Sequence, residues 1–573
     1  MRTMNGSQAK HAIGRAVAVT LALQALATGG TVMARNVELP VTAHPAVLCR
    51  DADGRLTIAA GGSETRPEGC RTISLPVPPG SVRWAGALPQ AKPPGRDRLV
   101  LSGTGQAAGF VPAGVSFEEP PGPAARPATL PLDRPLIPAL SARTFGVEER
   151  AVLSRTDESV TLRCGAGDKP AGLVLDPGPA RLPAGAEFAL HGHVTGDAGF
   201  FGALAGPGRD GRAVGLPTDG TFDQIPTAEE AAHSSWFVLA CPPTAGTLTL
   251  LDLRLASRTQ NPGAVQVRRS AWAWRPRRWR EAPEGLVAEA LALGAERLFV
   301  SVEIEDGALA DEARFSEFVG LARASGIGVA VVEGDPGMAL DAGRAVAIRR
   351  LGALVAYQRR AAGDRRLAGV QYDIEPYLLP GFQAEPEHIL RGWASTLDGL
   401  SANAAGLDLD LDLDLVLPFW LPLHGSAGLV LPTIGRVAER VTVMAYRTTP
   451  ADILTAAQPL LDWSASAARP LHVAVEAGPV GDETARAYHP APTGDLLLVP
   501  QAGGDALVLL LAAPVTLSAS DRLYALERES VVPGARVSFL GDRRRLDEVI
   551  AQILPTLSAW PSFSGLALHG LID

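Results

Sequence analysis

The sequence predicts a multidomain chain: a β-rich, sandwich-containing N-terminal half, then a C-terminal (β/α)8 barrel with an insertion after its seventh strand. Three observations predict it. From about Phe145 to Ser257, short apolar runs alternate with turn residues, as in a β-sandwich. After about Val265, runs of strand length alternate with amphipathic stretches of helix length. The count of such runs reaches eight at Gly565–His569, where a closed parallel barrel needs its last strand.

The composition is compatible with packed cores. Hydrophobic residues make up 46% of the 573 positions and charged residues 20%, which excludes wholesale disorder. Gly and Pro number 61 and 47, well above the ~12% average for the two together, so turns and linkers are many. The net charge of −9 makes nucleic acid a poor partner. Mean hydropathy is +0.12, yet past the N-terminus no apolar run reaches the ~18 residues of a membrane span.

Residues 1–34 read as a secretory signal peptide. Arg2, Lys10 and Arg15 precede the apolar stretch Ala16–Ala27, and Val32-Met33-Ala34 fits a small-residue cleavage site. A periplasmic or secreted location follows, with no transmembrane span after removal of the signal. Such a compartment permits disulfides, and the pairs Cys49–Cys70 and Cys164–Cys241 would each close a loop within one β-rich segment. There is no Cys-x-x-Cys and no Cys/His cluster, so neither a metal nor a cofactor is expected.

Residues 35–140 are β-prone and broken by Pro. Between Leu88 and Ala142 the composition suggests an extended linker or loosely packed strands. Residues 141–262 form the expected sandwich, jelly-roll-like and accessory. It includes Ser159-Val160-Thr161-Leu162, Trp236-Phe237-Val238-Leu239 and Thr247-Leu248-Thr249-Leu250.

The barrel is expected over 263–573. Its strand runs are Ser270–Trp274, Arg297–Val302, Gly328–Val332, Gly369–Asp373, Leu413–Pro418, Val441–Tyr446, Leu471–Val475 and Gly565–His569. Helical stretches such as Pro283–Leu293, Ala313–Ser325, Met338–Ala362 and Ala384–Ala404 separate them. The segment 478–542 is too long for a βα loop and holds β-prone pieces, so it reads as an insertion on the functional face. The alternating Asp-Leu stretch Asp408–Leu415 reads as a solvated lead-in to the fifth strand.

A barrel carries its chemistry at the C-terminal ends of its strands. The fourth run ends Tyr-Asp373-Ile-Glu375-Pro376. Alternate residues of a strand share a face, so Asp373 and Glu375 both point to the mouth. Two such carboxyls raise each other's pKa, and one can stay protonated as a general acid. Glu476 ends the seventh run, across the barrel, as a second catalytic carboxylate. Tyr446 ends the sixth run and can hold one of these carboxylates or a substrate oxygen. Candidate substrate contacts are Trp274 and Trp420, whose indoles can stack on sugar rings, with His569 and Arg447. Arg275, Arg277, Arg278 and Arg280 form a basic cluster after the first strand. Glu303, Glu305, Glu333 and Asp335 follow the second and third.

Asp373-Ile-Glu375 with Met444-Ala-Tyr446 resembles the chitinase-like glycoside hydrolase family 18, which has Asp-x-x-Asp-x-Asp-x-Glu on strand four and Met-x-Tyr on strand six. The earlier aspartates of that motif fall on Ala368 and Gln371 here. Glu375-Pro376 with Glu476 also resembles the clan of retaining barrel glycosidases, where Asn-Glu-Pro ends strand four and the nucleophile ends strand seven. Ile374 stands in place of that Asn. Both likenesses cover the barrel alone. They imply an exported glycoside hydrolase acting on a polysaccharide or oligosaccharide through two carboxylates. The alternative is a non-catalytic protein that binds polysaccharide or helps assemble a cell-surface polymer.

Overall fold

The computed structural model describes residues 37–38, 44–50, 55–60, 70–88, 98–106, 109–117, 129–146, 150–183, 185–207, 211–258, 267–379, 382, 385–405, 412–501, 506–517 and 522–572. The signal peptide expected over residues 1–34, and the first part of the Asp-Leu stretch, lie outside them.

Eight parallel strands close into a barrel: Arg269–Ala273, Ala295–Val300, Gly328–Glu333, Gly369–Tyr372, Asp412–Pro418, Arg440–Met444, Leu471–Glu476 and Phe563–His569. The eighth pairs with both the seventh and the first, which closes the ring. Each gap between strands holds a helix, for example Asp341–Arg360 between the third and fourth. The strands fall within a few residues of the runs read from the sequence. Their outward residues and the helices share one large core with Leu298, Val331, Leu417 and Val473. A separate interior cluster of Trp272, Phe299, Val332, Met444 and Ala474 fills the barrel lumen beneath its mouth. The lumen is therefore packed, not a pore.

The lower end of the barrel is closed by ions. Asp414 is fully buried and accepts from Arg297 at 3.0 Å and Arg440 at 3.2 Å. Asp412 adds a contact to Arg297 at 3.2 Å. Burial and the charges of Arg440, Arg297 and Arg268 hold His472 down to about 3, hence neutral. This corrects the reading of the Asp-Leu stretch as a solvated lead-in. Asp412 and Asp414 belong to the fifth strand, and arginines on the second and sixth strands supply the counter-charge.

Two five-stranded antiparallel sheets form the sandwich. Their strand orders are Asp219–Gln224, Phe188–Gly196, Gly246–Ser257, Val160–Cys164, Ala151–Arg155, and Val214–Gly215, Phe201–Ala205, Trp236–Ala240, Ala171–Asp176, Ser141–Gly146. Cys164 ends a strand of one sheet and Cys241 follows a strand of the other, and a disulfide joins them. A second disulfide joins Cys49 to Cys70, which stand directly opposite in a three-stranded sheet. The sandwich is fastened to the barrel helices by Gln458 on the Leu130 carbonyl at 2.9 Å and Thr556 on Asp133 at 2.6 Å.

The segment after the seventh strand carries four strands of its own. Its strands Glu483–Pro490, Thr493–Pro500, Ala506–Thr516 and Leu523–Val532 do not stand alone. They share one eight-stranded sheet with N-terminal strands Val82–Leu88, Leu99–Thr104 and Val111–Phe117. Two apolar clusters mix both sequence regions: Leu75 with Leu509 and Leu523, and Leu101 and Phe117 with Tyr488 and Val508. Within the stretch the sequence suggests as linker or loose strands, Leu99–Thr104 and Val111–Phe117 are paired sheet, and its Pro-rich parts 89–97 and 118–128 lie outside the described residues.

Candidate active site at the barrel mouth

Strand four delivers Asp373 and Glu375 to the mouth. The Asp373 amide bonds the Glu333 carbonyl at 2.8 Å, which extends the ladder one residue past the strand. Pro376 then opens a short 3-10 turn, Pro376–Leu378, its fixed φ suited to that position. The turn folds Tyr377 back so that its hydroxyl donates to Glu375 Oε1. Glu375 is 2% exposed. Burial first, and the neighbouring Asp373 charge second, push its pKa well above the usual carboxylate range. Burial likewise raises Asp373, whose Oδ1 is sealed from water with no hydrogen-bond partner.

Strand seven delivers Glu476, and here the environment works the other way. Burial would raise this carboxyl, but His569 and the Gly478 and Ala477 amides outweigh it and hold the pKa below the ordinary value. Glu476 Oε1 accepts from the Gly478 amide at 2.5 Å, and Oε2 bonds His569 Nδ1. Gly570 makes this cradle possible. Its φ is +76°, and a Cβ there would lie 2.4 Å from Glu476 Oε1.

His569 has a fixed tautomer. Trp274 Nε1 can only donate, and it does so to His569 Nε2 at 2.8 Å. The ring proton that faces Glu476 therefore sits on Nδ1. Asp373 and Glu375 are raised even with the opposing pull of His569 counted. His569 stabilises the Glu476 anion by hydrogen bonding.

Tyr446 joins the two halves. It is 7% exposed, its ring lies 5.8 Å from that of His569, and its hydroxyl makes no hydrogen bond among the described residues. Burial, then the charges of Glu476, Asp373 and Glu375, push its phenol upward. The three carboxyls whose charges act on that hydroxyl are tuned apart: Glu476 is held as an anion, while Asp373 and Glu375 are pushed upward, Glu375 the further.

The remaining candidates are placed as follows. Trp274 is engaged with His569. Trp420 lies 5.3 Å from the Tyr377 ring, edge to face, and is half-buried beside Phe382 and His424. Arg447 lies over Phe419, 4.6 Å from the ring centre, and donates to the Tyr446 carbonyl at 2.7 Å. Gln371, where the family 18 motif has an Asp, accepts from Trp272 Nε1 at 2.7 Å beneath the site. Arg277, Arg278 and Arg280 are paired with Glu281, Glu289, Glu303 and Asp311 on outer elements. Glu333 is buried against Arg350 at 2.6 Å, so it does not line a cleft. Tyr377 escaped the sequence reading. Its only signal was an aromatic residue two positions past a strand-end Glu, just after Pro. Among the described residues, no group of three or more His, Cys, Asp or Glu side chains is placed to hold a metal ion.

Fold and site together define a parallel (β/α)8 barrel with a carboxylate, tyrosine and histidine cluster at its C-terminal mouth. Similar solved structures include a class V chitinase from Nicotiana tobaccum, 11% identical, covering 54% of this chain and 95% of that chain, with a TM-score of 0.28. The spore cortex-lytic enzyme SleL of Bacillus cereus is 11% identical over 56% of this chain and 72% of its own, with a TM-score of 0.29. A GH18 chitinase from Cycas revoluta is 12% identical over 52% of this chain and 94% of its own, with a TM-score of 0.28. No family model matches the chain, and no curated protein matches it.

Proposed function

We propose that this chain is an exported glycoside hydrolase that cleaves a polysaccharide with two carboxyl groups. Glu375 is the general acid, and Glu476 is the nucleophile or the base that activates water. The observation that carries this reading is the opposed tuning of the two groups around Tyr446: Glu375 is held protonated and Glu476 ionised at the same mouth. Acid and base roles are set by environments that push two titratable groups apart. Glycoside hydrolysis needs that division, a proton for the leaving oxygen and an anion opposite the sugar carbon. Tyr377 orients Glu375, Asp373 helps keep it protonated, and the free Tyr446 hydroxyl meets the sugar. Trp274 and His569 hold Glu476, and Trp420 offers a ring face to a neighbouring sugar. The two disulfides suit an oxidising compartment, in keeping with export and a signal peptide over 1–34.

The test is hydrolysis by the mature chain of a panel of polysaccharides, compared with Glu375→Gln and Glu476→Gln. Each variant is expected to lose about 10²–10⁴-fold in turnover while still binding substrate. Wild-type rates in both would overturn the assignment. Binding to a polysaccharide without cleavage, unchanged in both variants, would instead favour the non-catalytic binder.

A further inference from the structure

The basic residues around the mouth fall into two groups. Arg277, Arg278 and Arg280, after the first strand, are neutralised by carboxylates. Those after the sixth strand are not. Arg447 is half-buried, and its contacts are a backbone carbonyl and the Phe419 ring. Arg536 stands in the turn Gly534–Arg536, where the insertion returns to the barrel. Thr448 ties the two segments together: its hydroxyl donates to the Ala535 carbonyl at 2.7 Å, and its own carbonyl accepts from Arg545 at 3.3 Å. Neither Arg447, Arg536 nor Arg545 has a carboxylate within ion-pair distance among the described residues.

Half-burying a guanidinium beside like charge is costly unless an anion compensates it. Burial, with Arg536 adding to it against the pull of Asp452, lowers Arg447 to about 10. Arg447 lies three residues past the end of the sixth strand and over Phe419, which directly follows the fifth, so it sits at the C-terminal end of the barrel.

Resting on the glycosidase reading, we infer that Arg447 and Arg536 form a subsite for the carboxylate of an acidic sugar, so that the substrate is a uronic-acid-containing polysaccharide. The planar fork of Arg matches a carboxylate in two parallel hydrogen bonds. The insertion contributes Arg536, so the sheet built partly from N-terminal strands helps shape this subsite.

The test is calorimetric binding of the full mature chain to oligouronates (galacturonate, mannuronate and guluronate types), each beside its carboxyl-reduced neutral counterpart. At least one acid oligomer is expected to bind roughly tenfold or more tightly than its reduced partner, the scale of one charge-assisted hydrogen bond. The preference should weaken with added salt. It should vanish in Arg447→Met and shrink in Arg536→Ala, a surface change that leaves the core intact. If no acid oligomer outbinds its reduced partner, or the preference survives in both variants, the inference is overturned. If a neutral polymer is hydrolysed in a Glu375-dependent way and Arg447→Met hydrolyses it as well as wild type does, this inference falls while the glycosidase reading stands. If the preference collapses in the variants while Glu375→Gln and Glu476→Gln alter no hydrolysis, the subsite stands and the catalytic assignment falls.

Discussion

His569 donates its Nδ1 proton to Glu476 across the seventh and eighth strands, and this bond decides which carboxyl of the mouth is the anion. Register places the two residues directly opposite each other. Trp274 holds the other ring nitrogen as an acceptor. The arrangement gives Glu476 an ionised state that burial alone would deny it.

Removing that support should raise the Glu476 pKa. A carboxyl depressed in the folded state stabilises above its unfolded pKa, and the contribution is lost as pH falls through the folded value. In His569→Ala the loss on acidification should therefore shrink, and give way to a loss as pH rises once burial carries the Glu476 pKa above its unfolded value. At neutral pH the variant should be less stable by about 1.5–3 kcal/mol, the worth of a hydrogen bond to a charged group. Urea unfolding from pH 3 to 7 measures both.

Glu375 should behave in the opposite sense. Its pKa is raised, so the folded state binds the proton more tightly, and stability falls as pH rises from the unfolded pKa toward the folded one. Glu375→Gln removes that penalty. It should be more stable than wild type by at least about 1 kcal/mol at pH 8, with the gain gone near pH 4. Thermal melts at the two pH values check this.

The pH profile of kcat/KM should be bell-shaped. Its basic limb, set by Glu375, should lie above the usual carboxylate range, and its acid limb, set by Glu476, at or below it. Asp373→Asn removes the like charge that helps raise Glu375, so the basic limb should move to lower pH. A profile whose basic limb is unmoved in this variant would separate Asp373 from the acid.

Deleting residues 44–117 should spoil the insertion as well as the N-terminal region. The strands Glu483–Pro490 and Ala506–Thr516 would each lose a neighbour, leaving open edges and bare apolar faces. The truncated chain should aggregate or lose cooperative unfolding, as read by soluble yield and urea titration. A barrel segment from about 265 onward that folded cooperatively alone would contradict the shared sheet.

The Cys164–Cys241 bond closes a loop of 77 residues between the two sandwich sheets. In the chain-entropy account a loop of that length contributes about 4 kcal/mol. The Cys164→Ser/Cys241→Ser double variant should melt correspondingly lower, and thiol counting on the untreated protein should find no free cysteine among the four.

The sequence alone determined the barrel. Eight apolar runs separated by helical stretches are local patterns, written in hydrophobic periodicity and readable wherever burial of one face dominates. The same pattern brought Asp373, Glu375, Tyr446 and Glu476 to strand ends, because alternation along a strand fixes which residues share a face. Tertiary structure alone decided what those groups experience. Tyr377 reaches Glu375 only because a Pro-led turn reverses the chain. His569 and Trp274 meet Glu476 only because the first and last strands close the ring. Asp414 is paired inside the barrel because Arg297 and Arg440 arrive from other strands, more than a hundred residues away in one case. The union of residues 82–117 with the insertion was likewise beyond reach of local pattern. It joins strands about 400 residues apart, and pairing over that distance leaves no periodic trace in either segment.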